Sequence, residues 1–198
     1  MKKKKKKKKI IIIMGKTSSG KDTVCKYLQD EYDIIMIVSI TTRPMRFYEV
    51  NGKEHYYVTD EIMDEIEKQK DILAYTKFPK TGYRYCSTVS SMSADVMTYI
   101  LNPDGVDYME ANKDNLDIEY HVLYLYLPED VIRERAEARG DDKDLIEKRM
   151  SSEAEQFDQF YSDHRYDYCI DMRQSREAVK QEVDNFMSIY FPECKKVV

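Results

Sequence analysis

Residues 15–23 read Gly15-Lys16-Thr17-Ser18-Ser19-Gly20-Lys21-Asp22-Thr23, which matches the phosphate-loop pattern G-x-x-x-x-G-K. An apolar run, residues 10–14, precedes the stretch, and residues 21–30 after it have the apolar spacing of an amphipathic helix. Glycines let successive N–H groups curl inward around phosphates, while the helix start and the Lys21 ammonium add positive charge. The stretch therefore predicts a strand–loop–helix unit that binds a nucleotide, and a mere glycine turn before a helix is the alternative.

Every residue of this loop is a candidate ATP ligand: Gly15, Lys16, Thr17, Ser18, Ser19, Gly20, Lys21, Asp22 and Thr23. Asp22 stands where such loops usually carry Ser or Thr. Its carboxylate suits Mg²⁺, directly or through water, because the ion prefers oxygen ligands. Equally, Asp22 is a helix-start residue that favours the helix dipole, and Thr23 supplies any hydroxyl needed. Both residues are candidate metal ligands.

Short apolar runs recur along the chain, at residues 10–14, 34–38, 96–101, 122–127 and 168–172. Runs that are apolar on both faces are typical of parallel strands covered by helices. Helical patterns lie between them, at residues 21–30, 61–70, 131–139, 145–161 and 176–190. This alternation predicts an α/β fold of three layers built on a parallel sheet.

Two segments interrupt the alternation. Residues 40–90 are polar and rich in tyrosine, and they predict an inserted lobe. Residues 133–149 are rich in arginine and contain the helix break Gly140-Asp141-Asp142. We expect a lysine-rich tail at residues 1–9 and one domain at residues 10–198, with its core at 10–39 and 91–198.

The composition excludes several classes of protein. Without the eight lysines at residues 2–9, the rest of the chain has 24 of the 32 basic residues and all 37 acidic ones. This body of the chain therefore has a formal net charge of −13 and is a poor general binder of nucleic acid. The lysine run is a solvated tail or a contact for RNA, DNA or anionic lipid. No apolar run reaches the ~20 residues of a membrane span, and no cleavage site follows residue 14. Four widely spaced cysteines indicate reduced thiols in the cytoplasm.

A second motif, Thr41-Thr42-Arg43-Pro44-Met45-Arg46, is followed by the sequence EVNGKEHYYVT at residues 49–59. Here the sequence resembles the guanylate kinase family, which has a phosphate loop, then T-T-R-x-x-R, then G-E-x-x-G-x-D/E-Y-x-F-V-S. The resemblance runs in order over nearly the whole chain, and the T-T-R-x-x-R block is its most specific part. It implies a P-loop three-layer fold with an acceptor-binding lobe at about residues 40–90 and an arginine-rich lid at about residues 133–149.

The resemblance implies that the lobe grips a phosphorylated acceptor. Independently, two arginines three residues apart can fork around a phosphate monoester. The alternative is a surface ion pair between these arginines and Glu49 or Glu54. The acceptor-binding candidates are Ser39, Arg43, Arg46, His55, Tyr85, Ser87 and Asp104.

The arginine-rich segment resembles the lid of the family. Arg135 and Arg139 lie one helical turn apart, and Arg149 lies on the next helix. Together with Lys21 they are the catalytic candidates, because phosphoryl transfer needs positive charge around the transferred group. The alternative is a solvated helix laced with Glu134, Glu137 and Glu147.

Three departures from the family concern the acceptor. His55 stands at a phosphate-binding tyrosine, Ala74 at the glutamate that reads guanine, and Asn102-Pro103-Asp104 at an acidic D-x-D segment. We expect a kinase that moves the γ-phosphoryl group of ATP, with Mg²⁺, to GMP or dGMP. A kinase of another phosphate ester, such as ribose 1,5-bisphosphate or a different nucleotide, is the alternative. A non-catalytic binding module of the same fold is less favoured, because Lys21 and the lid arginines are present.

Overall fold

A computed structural model describes residues 7–69, 71–79 and 81–197. Most of the predicted lysine tail, residues 1–6, lies outside the described residues. The described chain divides into two compact units, residues 7–10 with 36–119 and residues 11–35 with 120–197. None of the helices in this part of the chain has the length and apolar character needed to cross a bilayer. The predicted boundaries of core, lobe and lid stay predictions.

Helices and strands alternate along the chain. The strands are β1 (Lys8–Met14), β2 (Ile40–Thr41), β3 (Tyr56–Tyr57), β4 (Ile72–Lys77), β5 (Arg84–Thr88), β6 (Val96–Ile100), β7 (Ile118–Tyr126) and β8 (Tyr168–Asp171). The helices are α1 (Lys21–Tyr32), α2 (Asp60–Lys68), α3 (Pro103–Asn112), α4 (Glu129–Ala138), α5 (Lys143–Ser162) and α6 (Arg176–Tyr190). The predicted α/β class is confirmed.

The sheet of the second unit carries the phosphate loop. Strands β1, β7 and β8 are neighbours in that order, and β7 pairs with β8 in parallel, with Leu123 opposite Tyr168. Residues 11–14 and 122–125 are buried, so these strands are apolar on both faces as predicted. Helix α1 adds a buried stripe of Val24, Cys25 and Leu28. The loop that follows β1 thus begins at a strand of the sheet and ends at α1.

The first unit contains a second, small sheet with the order β3-β2-β5-β4. Strand β2 pairs in parallel with β3 and antiparallel with β5, and β4 is antiparallel to β5. Helix α2 begins after Thr59, whose side chain accepts the Ile62 N–H. Its Met63 packs in a buried cluster with Ile72 of β4 and Cys86 of β5. This sheet positions the residues of the T-T-R-x-x-R region.

The structure differs from the predicted elements in one strand, one additional helix and two element boundaries. The strand predicted at residues 34–38 is wrong: Ile34 and Ile37 are buried while Ile35 is exposed, and one isolated bridge joins Met36 to Thr98. Helix α3 was not predicted, although the Asn102 side chain caps it by accepting the Gly105 N–H. Strand β1 begins at Lys8, two residues before the predicted run. Helix α2 ends at Lys68, and the predicted end at residue 70 lies outside the described residues.

A buried arginine fastens α2 to β5. The Arg84 side chain is 11% exposed, and its guanidinium contacts Asp60 at 2.7 Å, Asp64 at 2.5 Å and Glu67 at 2.9 Å. It also donates to the Asp60 carbonyl. The three carboxylates lie on α2, so one side chain from β5 fixes the orientation of that helix.

Replacing Arg84 with Ala should lower the free energy of unfolding by about 1.5–3 kcal/mol, because hydrogen bonds between charged groups are lost at a buried position. The measurement is urea unfolding of wild type and variant. Arg173→Ala is the matched control: its side chain is 57% exposed and pairs with the adjacent Asp171. An exposed pair of this kind contributes about 1 kcal/mol or less. Equal losses in the two variants would show that the ion pairs of Arg84 do not fasten α2 to β5.

Candidate functional site

Two glycines allow the phosphate loop to form. Gly15 has φ +154°, and a Cβ there would lie 2.6 Å from the Leu125 carbonyl oxygen. Gly20 has φ +91° and lies directly before α1. L side chains are disfavoured at these angles, and the first position has no room for one. The glycine spacing in the sequence is therefore required by close packing against β7 and by the turn into α1.

The Lys21 ammonium lies inside the curl of the loop. Its Nζ donates to the Gly15 carbonyl at 2.7 Å and to the Lys16 carbonyl at 2.9 Å. Burial lowers the pKa of Lys21 below its usual value, whereas Glu153 and Asp22 act in the opposite direction. A cation fixed at the centre of the loop is placed to meet phosphate oxygens, as the sequence predicts.

A cleft of about 1040 Å³ opens beside the loop in the second unit. Thr17, Ser18, Gly20, Lys21, Asp22 and Thr23 line it, together with the three predicted lid arginines, Arg135, Arg139 and Arg149. The Arg139 Nη2 donates to the Ser18 Oγ at 2.7 Å, and Arg135 donates to the Met172 carbonyl. All four predicted catalytic residues therefore line one cleft, which is basic in a chain whose body is acidic.

Other loop residues face away from this cleft. The Lys16 side chain is 10% exposed, and its ammonium pairs with Asp158 at 2.7 Å and with Glu129 at 3.3 Å. Ser19 is fully buried, and its hydroxyl has no hydrogen-bond partner among the described residues. Lys16 therefore attaches the loop to Glu129 and Asp158, and Ser19 packs in the interior. Their part in ATP binding stays a prediction.

The lid segment combines both interpretations of the sequence. Exposed ion pairs join Arg133 to Glu147 and Lys143 to Glu137, as in a solvated helix. Arg135 of α4 and Arg139, the residue that directly follows the helix, instead line the cleft. One face of α4 is thus solvated, and the other presents arginines.

The residues at the start of α1 fit a magnesium ion that arrives with a nucleotide. Asp22 and Thr23 are exposed in the cleft and provide one carboxylate and one hydroxyl. The described residues contain no cluster of three or more His, Cys, Asp or Glu that could hold a metal by themselves. Mg²⁺ commonly takes one or two protein oxygens and completes its shell with waters and phosphates, so this sparse donor set suits it.

The acceptor-binding candidates of the first unit form a connected cluster. The Ser39 Oγ lies 2.7 Å from the His55 Nδ1, and the His55 ring lies 5.5 Å from the Tyr85 ring. The Tyr85 hydroxyl accepts the Arg43 Nε–H at 3.0 Å. Burial and then the charge of Arg43 lower the pKa of His55, which favours a neutral imidazole. The structure thus brings together four residues that span 47 positions of sequence.

Arg43 and Arg46 have different surroundings. The Arg43 guanidinium makes a bidentate pair with Glu49, at 3.0 and 2.8 Å, and Glu49 is only 8% exposed. The ion pair considered from the sequence is therefore present, but it is buried. The bonds from Arg43, together with the Arg46 N–H, hold the pKa of Glu49 at about 2. The Arg46 side chain is 39% exposed, and its Nη1 donates to the Tyr48 hydroxyl at 3.1 Å and lies 3.8 Å from the Glu49 carboxylate. Its Nε and Nη2 donors remain open.

The remaining acceptor candidates lie elsewhere in the first unit. Ser87 is buried on β5 and lies opposite Ala74 of β4. Ala74 is 1% exposed, so the position that departs from the guanine-reading glutamate is an interior one. Asp104 is exposed in the first turn of α3, and burial of its carboxyl raises its pKa. Because they are directly opposite each other, Ser87 and Ala74 share one face of the β4–β5 pair.

Sequence reasoning missed several residues that hold these sites. Glu49 was considered only as a surface partner of the arginines, and Glu129 and Asp158 were not considered. Glu153 was missed as well, and its Oε2 accepts the Thr17 N–H at 2.7 Å. Its spacing of four residues from Arg149 places both on one helical face, which is the one signal that could have found it.

Comparison with known proteins decides the family. The guanylate kinase family model matches residues 7–189. The chain belongs to the guanylate kinase family. It is 29% identical over 170 residues to guanylate kinase of Ehrlichia canis, covering 83% of this chain and 79% of that one. It is 30% identical over 165 residues to guanylate kinase of Lactiplantibacillus plantarum, covering 79% and 76%.

A solved structure agrees on the fold. The crystal structure of guanylate kinase from Anaplasma phagocytophilum superposes with a TM-score of 0.64 at 20% identity, covering 98% of this chain and 92% of that one. As a member of the guanylate kinase family the chain is a nucleoside-monophosphate kinase. The resemblance and the enzyme class predicted from the sequence are both confirmed, and the binding-module alternative is not favoured.

Replacing Lys21 with Ala should lower kcat by ~10²-fold or more, the scale of losing one preformed donor to transition-state charge. The variant should stay folded, because the Lys21 ammonium contacts only loop carbonyls and does not pack in the apolar core. A coupled assay of ADP release measures the loss. Lys68→Ala, which removes an exposed lysine of α2, is the control. A Lys21→Ala enzyme with wild-type kcat on every acceptor would show that the assignment is wrong.

Replacing Arg46 with Ala should raise the KM for the acceptor roughly 10–100-fold and leave the KM for ATP unchanged, since a charged hydrogen bond is worth ~1.5–3 kcal/mol. Arg43→Ala should have the same effect on the acceptor and should also destabilise the protein, because it leaves Glu49 buried without its partner. Steady-state kinetics and urea unfolding separate the two variants. Loss of ATP affinity with normal acceptor affinity would mean that the two sites are exchanged.

Proposed function

We propose that the chain transfers the γ-phosphoryl group of ATP to GMP or dGMP. The observation that carries this proposal is the cleft in which the phosphate loop, Lys21 and three lid arginines converge. Membership of the guanylate kinase family supports GMP as the acceptor. In the reaction an oxygen of the acceptor phosphate bonds to the γ-phosphorus, and the bond from that phosphorus to the bridging oxygen breaks to leave ADP.

The donor side depends on charge already in place. Loop N–H groups and Lys21 hold the β- and γ-phosphates, and Arg135, Arg139 and Arg149 surround the equatorial oxygens of the transferred group. A loose transition state asks for little covalent help, so positioning and positive charge suffice. Asp22 and Thr23 would hold the Mg²⁺ that arrives with ATP, and the ion would neutralise further phosphate charge.

The acceptor side depends on the cluster around Arg43. Arg46 has the open donors, and we assign it the direct grip on the acceptor phosphate. Arg43 is oriented by Glu49 and Tyr85 and offers what remains of its five N–H groups. His55 and Ser39 complete the phosphate site with neutral hydrogen-bonding groups, because the pKa of His55 is lowered.

The position at which the family reads guanine carries Ala74 in this chain. Guanine presents two donors, N1–H and the 2-amino group, which one carboxylate accepts together. The Ala74 methyl accepts nothing, whereas Ser87 on the opposite strand offers a hydroxyl for O6. Loss of a charge-assisted pair costs ~1.5–3 kcal/mol. We therefore expect activity on GMP with relaxed selectivity among bases.

Replacing Ala74 with Glu should increase selectivity for GMP over AMP roughly 10–100-fold, since a carboxylate restores the acceptor for both guanine donors. The measurement is kcat/KM for GMP, dGMP, AMP, CMP and UMP in wild type and variant. The alternative acceptors, ribose 1,5-bisphosphate and other sugar phosphates, are tested in the same assay.

Ala74→Gln is the matched control, because its amide oxygen serves one guanine donor without the charge. Ala74 is buried, so urea unfolding accompanies the kinetics to separate lost folding from changed selectivity. Strict selectivity of the wild type for GMP, unchanged by Ala74→Glu, would show that other residues read the base. Activity on sugar phosphates without activity on any nucleotide would replace the proposed acceptor.

A further inference from the structure

The phosphate loop donates one of its backbone N–H groups to an acidic side chain of the same unit. The Thr17 N–H lies 2.7 Å from the Oε2 of Glu153, which belongs to α5. Thr17 lies within the curl between the two loop glycines and lines the cleft. This is the part of the chain whose N–H groups the motif provides for phosphate oxygens.

A carboxylate and a phosphate compete for such a donor. Both are anions, and a bond from an N–H to either is charge-assisted. One N–H makes one strong hydrogen bond, so the Thr17 N–H cannot serve Glu153 and a phosphate oxygen together. The Glu153 charge also acts on Lys21, whose pKa it raises against the lowering by burial.

Helix α5 gives Glu153 a connection to the lid. Arg149 precedes it by four residues, one helical turn, and lines the cleft. The same helical face thus carries a cation that attracts phosphate and an anion that occupies a phosphate donor. Asp158, further along α5, fastens Lys16 at 2.7 Å, so the helix stays attached to the loop when the Glu153 side chain rotates away.

We propose that Glu153 is a built-in competitor of the nucleotide phosphates. Its carboxylate must leave the Thr17 N–H before a phosphate oxygen binds there, and it returns when the nucleotide leaves. Glu153 therefore sets the affinity of the loop for ATP and for ADP and favours product release. The inference rests on the proposed function in one respect, that the loop binds ATP.

The contact between Glu153 and the Thr17 N–H is also compatible with the opposite role. A carboxylate on a loop N–H can brace the loop in its binding conformation, and removing it would then weaken nucleotide binding. The sign of the change in affinity separates a competitor from a brace.

The experiment is calorimetric titration of the full chain with Mg·ATP and with ADP. Glu153→Ala should lower both Kd values roughly ten-fold, since one charge-assisted bond no longer has to be displaced. Glu153→Gln, which keeps an acceptor but not the charge, should give a smaller decrease. Glu155→Gln is the matched control, because it removes the same charge from an exposed position of α5 and should leave both Kd values unchanged. In kinetics, the KM for ATP should fall in Glu153→Ala while kcat does not rise.

Three results would overturn the proposal. Weaker binding in both Glu153 variants would identify a brace, and unchanged binding would show that the contact has no energetic role. An equal decrease of both Kd values in Glu155→Gln would show that the effect comes from the net charge of α5. Wild-type binding of ATP tests the proposed function separately: if neither the wild type nor Glu153→Ala binds ATP, both ideas fail. Binding by the variant alone would support the competitor strongly.

Discussion

A backbone that curls tightly enough to point N–H groups inward gives up the helix and strand partners of those groups. The phosphate loop meets this constraint with contacts from its surroundings. Gly15 approaches the Leu125 carbonyl where no Cβ fits, and Lys21 satisfies two loop carbonyls. The Thr17 N–H takes a carboxylate from α5. Anions are the natural partners of the remaining donors, which is why the same geometry binds phosphate.

The acidic body of the chain raises a question of how it attracts acidic ligands. Its formal charge of −13 without the leading lysines opposes any long-range attraction of nucleotides. Recognition therefore depends on local charge held at short range. Lys21 and the lid arginines gather in one cleft of the second unit. Arg43 and Arg46 lie in the first unit. Glu49 orients the Arg43 guanidinium, whereas most N–H donors of Arg46 remain open.

Sequence patterns predicted the parts of this molecule whose chemistry is local. The phosphate loop, its strand and its helix follow from nine consecutive residues and their flanks. The strand predicted from the apolar run at residues 34–38 is wrong. Apolarity alone does not show which side chains are buried or whether a neighbouring strand pairs along the whole run. The roles of Glu153 and Asp158 were not predicted, because their partners lie more than 130 residues away in the sequence. Contacts of that kind are decided by packing.

The carboxylates of Glu49 and Glu153 both lie in phosphate-binding regions, and their surroundings give them different roles. Glu49 is 8% exposed and is held by two guanidinium bonds and a backbone N–H, which keep its pKa at about 2. Displacing it would break all three bonds and leave Arg43 without its orientation. Glu153 is partly exposed and accepts one N–H at the end of a flexible side chain. A phosphate that takes its place restores the bond that is broken, so exchange costs little. The same functional group thus serves as a fixed partner in one site and as an exchangeable one in the other.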